Sequence, residues 1–200
     1  MPKQARIPTT EQLNDLLSKV KKTKPFGLRD WTILHLSFFA GLRAKEIASL
    51  KVQDIIEDGK IKQTAYLEAD QTKNTTDKKD GRKIYITHPR LQEALSEYLN
   101  SEFPKWKTEV PKRSLFVSKR KLTITADSMV HITKRAFRRS GYDYLSSHSG
   151  RRYFATKLGK EVSTVKELQE YGGWKSVQTA MLYVDTNEDE MVDRLKNSTW

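Results

Sequence analysis

A mostly α-helical fold with a small antiparallel β-sheet, an α+β arrangement, is what the sequence predicts, on three observations. Apolar residues recur at helical spacing through most of the chain, as at Leu13, Leu16, Leu17 and Val20. Between Val52 and Ile86 that period gives way to strand-like runs around an Asp58-Gly59 turn. The 200 residues contain no cysteine and are 36% hydrophobic and 10% aromatic, enough for one core without a disulfide or metal staple.

Thr9-Thr10 followed by Glu11-Gln12 is a hydroxyl cap with an acid in the first turn, so a helix is expected from there to about Lys22. Lys24-Pro25-Phe26-Gly27 breaks it. The apolar stretch from Leu28 to Leu42 predicts a buried helix ending near Gly41, and a short amphipathic one follows from Ala44 to Leu50. Val52–Ile56 and Lys60–Leu67 form the two arms of a hairpin, and Arg82–Ile86 returns as a third strand after the polar stretch Asn74–Gly81. Pro89 opens a helix whose inner face is Leu91, Ala94, Leu95, Tyr98 and Leu99. Leu115–Val117 is a candidate short strand. Helices are expected over Asp127–Ser140, Ser147–Lys160, Thr164–Tyr171 and Ser176–Val184, with a tail helix near Glu188–Lys196. No repeat or Gly/Ser-rich linker interrupts the chain, so residues 1–184 are expected to make one domain, with 185–200 as a tail.

Lysine and arginine exceed aspartate and glutamate by 37 to 25, a formal charge of +12. Such an excess points to a polyanion, nucleic acid before an anionic membrane surface, because the basic residues spread along the chain instead of lining one amphipathic helix. Lys105–Lys121 is the densest stretch, with seven basic residues against Glu109 and with Trp106 and Phe116 between them. No apolar run approaches the roughly 18 residues of a membrane span, and MPKQARIPTT has no signal-peptide stretch. A soluble, cytoplasmic chain is expected.

The missing cysteines exclude a thiolate zinc site and a Cys nucleophile. His35, His88, His131 and His148 are too scattered for metal-ligand spacing, so no metal is expected. Gly172-Gly173-Trp174-Lys175-Ser176 lacks the glycine before lysine and the preceding strand of a nucleotide-binding loop. Phosphate chemistry without a metal remains, and it needs fixed cations, a nucleophile and an acid for the leaving oxygen. Arginine suits the first role because its planar fork binds two phosphate oxygens and keeps its charge. Arg43 directly follows a hydrophobic helix; read alone, it is a helix-end cation paired with Glu46. Arg151 lies on a helix expected to bury Phe154, Ala155 and Leu158, one turn after His148; read alone, the two form an exposed basic turn.

Gly41-Leu42-Arg43-Ala44-Lys45-Glu46-Ile47-Ala48-Ser49-Leu50 resembles the G-[LFM]-R-x-x-E-[IL]-x-x-L box of the tyrosine recombinases, the phage-integrase family. His148-Ser149-Gly150-Arg151 matches the family's H-x-x-R. Tyr171-Gly172-Gly173-Trp174 followed by Tyr183 matches its glycine-rich turn with a tyrosine nine residues after the His or Trp. Three boxes stand in family order over roughly Thr9 to Val184.

The resemblance implies a site-specific recombinase that breaks and rejoins DNA through a 3′-phosphotyrosine, with no metal, ATP or other cofactor. Tyr183 would be the nucleophile; read alone it is a core aromatic beside Val177, Ala180 and Met181. Arg43 and Arg151 would clamp the non-bridging oxygens and His148 would assist near Tyr183. Trp174 stands where many relatives have His and can donate its indole N–H but not shuttle a proton; packing is its other reading. Lys73 is the best match to the strand-turn lysine that protonates the leaving oxygen, with Lys78 and Lys79 as competitors. Glu46 would orient Arg43. The implied partners are double-stranded DNA and further copies of the chain in a tetramer, in a prokaryotic, phage or mobile-element setting. A non-catalytic DNA-binding relative and a topoisomerase-like enzyme without strand exchange are the rival readings.

Most relatives carry a separate helical core-binding domain ahead of the catalytic one. This chain starts almost at the catalytic domain, as expected of an excised fragment or a short-form recombinase. The acidic run Asp185–Glu190 and the apolar Met191, Val192 and Leu195 are expected to pack on a neighbouring protomer or to cap their own domain.

Overall fold

The arrangement follows from a computed structural model, which describes residues 5–72, 81–109, 111–120 and 122–183. It forms two compact units, residues 1–154 and 155–200.

In the first unit Thr9 caps helix α1 (Thr10–Lys21): its hydroxyl accepts from Gln12 N, and the Gln12 side chain accepts in return from Thr9 N. Helix α2 (Gly27–Phe39) is buried from Trp31 through Phe38. A helix buried on every side has to be surrounded, and α2 packs on α1, on α5 (Pro89–Glu102) and on α6 (Ala126–Arg139). Ile33, Leu36 and Ala40 enter one hydrophobic cluster with Leu95 and Leu99 of α5. Leu34 and Phe38 enter a second with Leu13, Leu17 and Phe137. α2 is thus a strut between two packed layers, and its C-terminal end delivers Gly41–Arg43 to a fixed place. Short helix α3 (Ala44–Ser49) follows and lies against α6.

The β-region departs from the expected hairpin with a returning third strand. Val52–Ile55 is a single helical turn, α4, because the Asp54 carboxylate accepts from Lys51 N at 2.9 Å and caps it. Only Ile56–Glu57 (β1) is extended; it pairs antiparallel with Lys60–Ile61 (β2) across Asp58-Gly59, both at positive φ. The expected second arm is broken at Lys62–Gln63. Beyond the break, Thr64–Leu67 (β3) pairs with Arg82–Tyr85 (β4), with Ala65 opposite Ile84 and Leu67 opposite Arg82. The result is two separate two-stranded ladders, joined by a 3-10 turn at Ala69–Gln71 to the residues beyond. Leu115–Val117 is not a strand; isolated bridges join Ser114 to Lys51 and Val117 to Thr123. Trp106 and Phe116 of the basic stretch turn inward and are buried.

Helix α7 (Ser149–Glu161) starts after His148, two residues later than expected. The second unit holds α8 (Val165–Gly172), capped by Thr164 with Glu167, and the short α9 (Val177–Met181). α9 ends well before Val184, so Tyr183 sits in the turn that follows it. The expected tail helix at Glu188–Lys196 lies outside the described residues. No helix among the described residues is long and apolar enough to cross a membrane.

Candidate active site

Arg43 occupies the N-cap of α3 and not the end of α2, whose cap is Ala40. Between them Gly41 takes a positive φ of 62°, and a Cβ built on it would overlap the Phe154 ring. Only glycine allows both the left-handed turn and that close approach. Leu42, 1% exposed, anchors the turn in the core.

Glu46, fully buried, is the hub of this region. Its Oε1 accepts from Arg43 Nη1 at 2.8 Å and from Arg82 Nε at 3.0 Å. Its Oε2 accepts from the Arg43 backbone N at 2.7 Å and from Arg82 Nη2 at 2.8 Å. Burial by itself pushes the carboxyl pKa up; the hydrogen bonds and charge of Arg82, then the charge of Arg43, outweigh it and hold the group at about 2. Glu46 is therefore an anion that caps α3 and hydrogen-bonds both the backbone and the guanidinium of Arg43. The Arg43 side chain stays 28% exposed, which leaves part of its guanidinium facing outward.

Arg151, on the first turn of α7, is buried, and its Nη1 donates to the Gly41 carbonyl at 2.6 Å. The carbonyl it grips lies two residues before Arg43, so the first unit brings the two motif arginines to one turn. His148 is exposed just ahead of α7, its carbonyl accepting from Arg152 N at 3.0 Å. Beyond its first turn, α7 buries Tyr153 and Ala155, while Phe154 and Leu158 are half-buried.

In the second unit α8 ends at Gly173 in the left-handed conformation, and Trp174 N then donates back to the Gln169 carbonyl at 3.0 Å. This turn lays the Trp174 indole on the Tyr183 ring, with centroids 5.1 Å apart and planes at 22°. Tyr183 N donates to the Ala180 carbonyl at 3.0 Å, and the ring is half-buried. Of the neighbours in the core-aromatic reading of Tyr183, Ala180 is buried while Val177 and Met181 are exposed. Lys73, Lys78 and Lys79 lie outside the described residues. Thr72, immediately before Lys73, is held by Lys45 Nζ, which donates to its carbonyl at 2.5 Å.

The phage integrase family model matches residues 7–190. This chain belongs to the phage integrase family. Tyrosine recombinase XerD of Listeria innocua is 26% identical to it over 202 residues, 98% of this chain and 64% of XerD. Tyrosine recombinase XerC of Corynebacterium glutamicum is 28% identical over 166 residues, 83% of this chain and 49% of XerC. The chain thus spans less than two thirds of either recombinase. Among solved structures, XerA recombinase matches with a TM-score of 0.72 at 16% identity, over 99% of this chain and 68% of XerA. The Tn1549 transposon integrase, in complex with a circular intermediate DNA, matches with a TM-score of 0.73 at 16% identity, over 98% and 67%. The integrase-family fold accounts for the helices and paired short strands described above.

Sequence reasoning about this integrase-family chain missed Arg82. A signal was present: in Arg82-Lys83-Ile84-Tyr85-Ile86 strand alternation puts residue 82 on the face of Ile84 and Ile86, both fully buried. A charged residue on a buried strand face needs a partner, and here that partner is Glu46.

Proposed function

We propose that this chain is the catalytic domain of a site-specific DNA recombinase that cleaves and rejoins double-stranded DNA through a 3′-phosphotyrosine. The observation that carries the reading is the Arg151–Gly41 hydrogen bond, which gathers two motif arginines from distant parts of a chain with a family match over 7–190. A charge of +12 suits a DNA partner.

In this reading the Tyr183 oxygen attacks the scissile phosphorus, a P–O bond to Tyr183 forms, and the bond to the 5′-oxygen breaks. Arg43 and Arg151 neutralise the non-bridging oxygens as charge builds on the five-coordinate phosphorus. His148 takes part in moving the tyrosine proton, the Trp174 N–H donates to the phosphate, and Lys73 protonates the departing 5′-oxygen. A 5′-hydroxyl from a partner strand then attacks the phosphotyrosine and restores a phosphodiester. The covalent link conserves the bond energy, so the cycle draws on neither ATP nor metal. Copies of the chain assemble as a tetramer on DNA, in the cytoplasm of a prokaryotic host.

A nicked suicide substrate, which loses its 5′-hydroxyl fragment after cleavage, tests the reading. The parent chain is expected to form a covalent adduct resistant to denaturation, and Tyr183→Phe to bind DNA without forming it. An adduct with Tyr183→Phe moves the nucleophile to another tyrosine; none with the parent favours the non-catalytic relative.

A further inference from the structure

Arg82 opens β4, 36 residues after Glu46 and outside the three motif boxes, yet it contacts the carboxylate that organises the first motif. Each Glu46 oxygen accepts one bond from Arg43 and one from Arg82. The Arg82 side chain is 10% exposed, and its Nη1 is buried with no hydrogen-bond partner among the described residues.

Resting on the recombinase reading above, we infer that Arg82 is a positioning residue for Arg43, acting through Glu46. Two effects follow from the geometry. Arg82 supplies the second cation that keeps a fully buried carboxylate charged, so Glu46 stays a strong acceptor for the Arg43 backbone and guanidinium. Arg82 also competes for both Glu46 oxygens. Without its fork the carboxylate is free to turn and chelate the Arg43 guanidinium at two points, which withdraws that guanidinium from a phosphate.

The test compares parent, Arg82→Lys and Arg43→Ala on two suicide substrates, one with an ordinary scissile phosphate and one with a neutral methylphosphonate there. Lysine keeps the charge but cannot fork. Arg82→Lys is expected to slow single-turnover cleavage of the phosphodiester by at least about tenfold while DNA affinity stays within about threefold. On the methylphosphonate, where no full anionic charge needs neutralising, the same variant is expected within about threefold of the parent, and Arg43→Ala is expected to show the same narrowing. A purely structural role moves both substrates alike, so equal losses overturn the inference, as does no loss on the phosphodiester. If thermal melting shows Arg82→Lys unfolded, Arg82→Gln, which still donates to the carboxylate, is read in the same way. A parent chain that forms no adduct overturns the recombinase reading and this inference with it; a parent that does, beside an unaffected Arg82→Lys, overturns this inference alone.

Discussion

The Arg151 guanidinium donates to the Gly41 carbonyl oxygen across 2.6 Å, a bond between residues 110 positions apart in the chain. It fixes the start of α7 to the turn that precedes Arg43. A charge-assisted bond from a guanidinium to a carbonyl fixes the plane of the group.

Arg151→Lys is accordingly expected to lose more than a charge-conserving change suggests. A lysine ammonium has three donors but concentrates them on one nitrogen, so it does not hold the Gly41 carbonyl and two phosphate oxygens in the geometry of the planar fork. Single-turnover cleavage is expected to fall by about 100-fold while DNA affinity changes little, the pattern of an interaction made mainly in the transition state. Cleavage within a few-fold of the parent would remove Arg151 from the clamp.

Gly41→Ala addresses the other end of the same bond. The φ of 62° is strained for alanine, and its Cβ meets the Phe154 ring. Together these are expected to cost about 1–3 kcal/mol of stability, read as a lower melting temperature. Adding Phe154→Leu relieves the overlap but not the backbone strain, so it is expected to restore only part of the loss. Full restoration would show that φ is not a constraint.

What could be read from the sequence was what local forces decide. The helices were legible because apolar periodicity and caps are written in consecutive residues, as in Thr9–Gln12 or the strongly apolar α2. The β-region was read less well. Val52, Ile55 and Ile56 have the β-branched character of a strand, but Asp54 accepting from Lys51 N turns Val52–Ile55 into a helical turn and leaves only Ile56 extended, with all three buried. Lys60–Leu67 changes partner mid-way: Lys62 N donates to the Ile55 carbonyl, while Ile86 N donates to the Gln63 carbonyl. That switch depends on distant strands. Arg43 and Glu46 were visible as neighbours in one motif, whereas Arg82 reaches Glu46 only through the register of β4 on β3.

Glu46 makes stability depend on pH in a definite direction. Its carboxyl sits at about 2 in the folded chain against an ordinary value of 4.5, so between those values the unfolded chain binds more protons. Stability from this group is expected to be complete above about pH 4.5 and lost as pH falls towards 2, by roughly 3 kcal/mol in all. Asp30 works the other way. Burial raises its pKa against the opposing pull of Arg29, so its contribution weakens as pH rises above 3.8. Urea titrations from pH 2.5 to 6 on parent and Glu46→Gln separate the two (about ten points suffice). The variant is expected to lose the rising slope and keep the Asp30 trend; an unchanged slope would place the acid sensitivity elsewhere.

The lysine assignment can be decided by the chemistry of the leaving group. The stem before Lys73 is tied down. Lys45 donates to the Thr72 carbonyl, and the Gln71 amide donates to the Ser49 carbonyl at 3.1 Å and to Asp54 Oδ2 at 3.0 Å. Both ties reach from the helical segment that starts at Arg43, so the chain just before Lys73 has a fixed origin relative to Arg43. On the recombinase reading the proposed acid, Lys73, directly follows this fixed stem, ahead of Lys78 and Lys79 in the chain. Lys73→Ala is expected to slow cleavage of ordinary DNA by about 100-fold or more, the usual contribution of a general acid. A substrate with sulfur in place of the bridging 5′-oxygen needs no proton to expel its leaving group, so it is expected to restore the Lys73→Ala rate towards that of the parent. Lys78→Ala and Lys79→Ala are expected to cleave ordinary DNA at near the parent rate. Should sulfur rescue one of those two and not Lys73→Ala, the acid belongs further along the loop, and the fixed stem serves only to hold α3 in place.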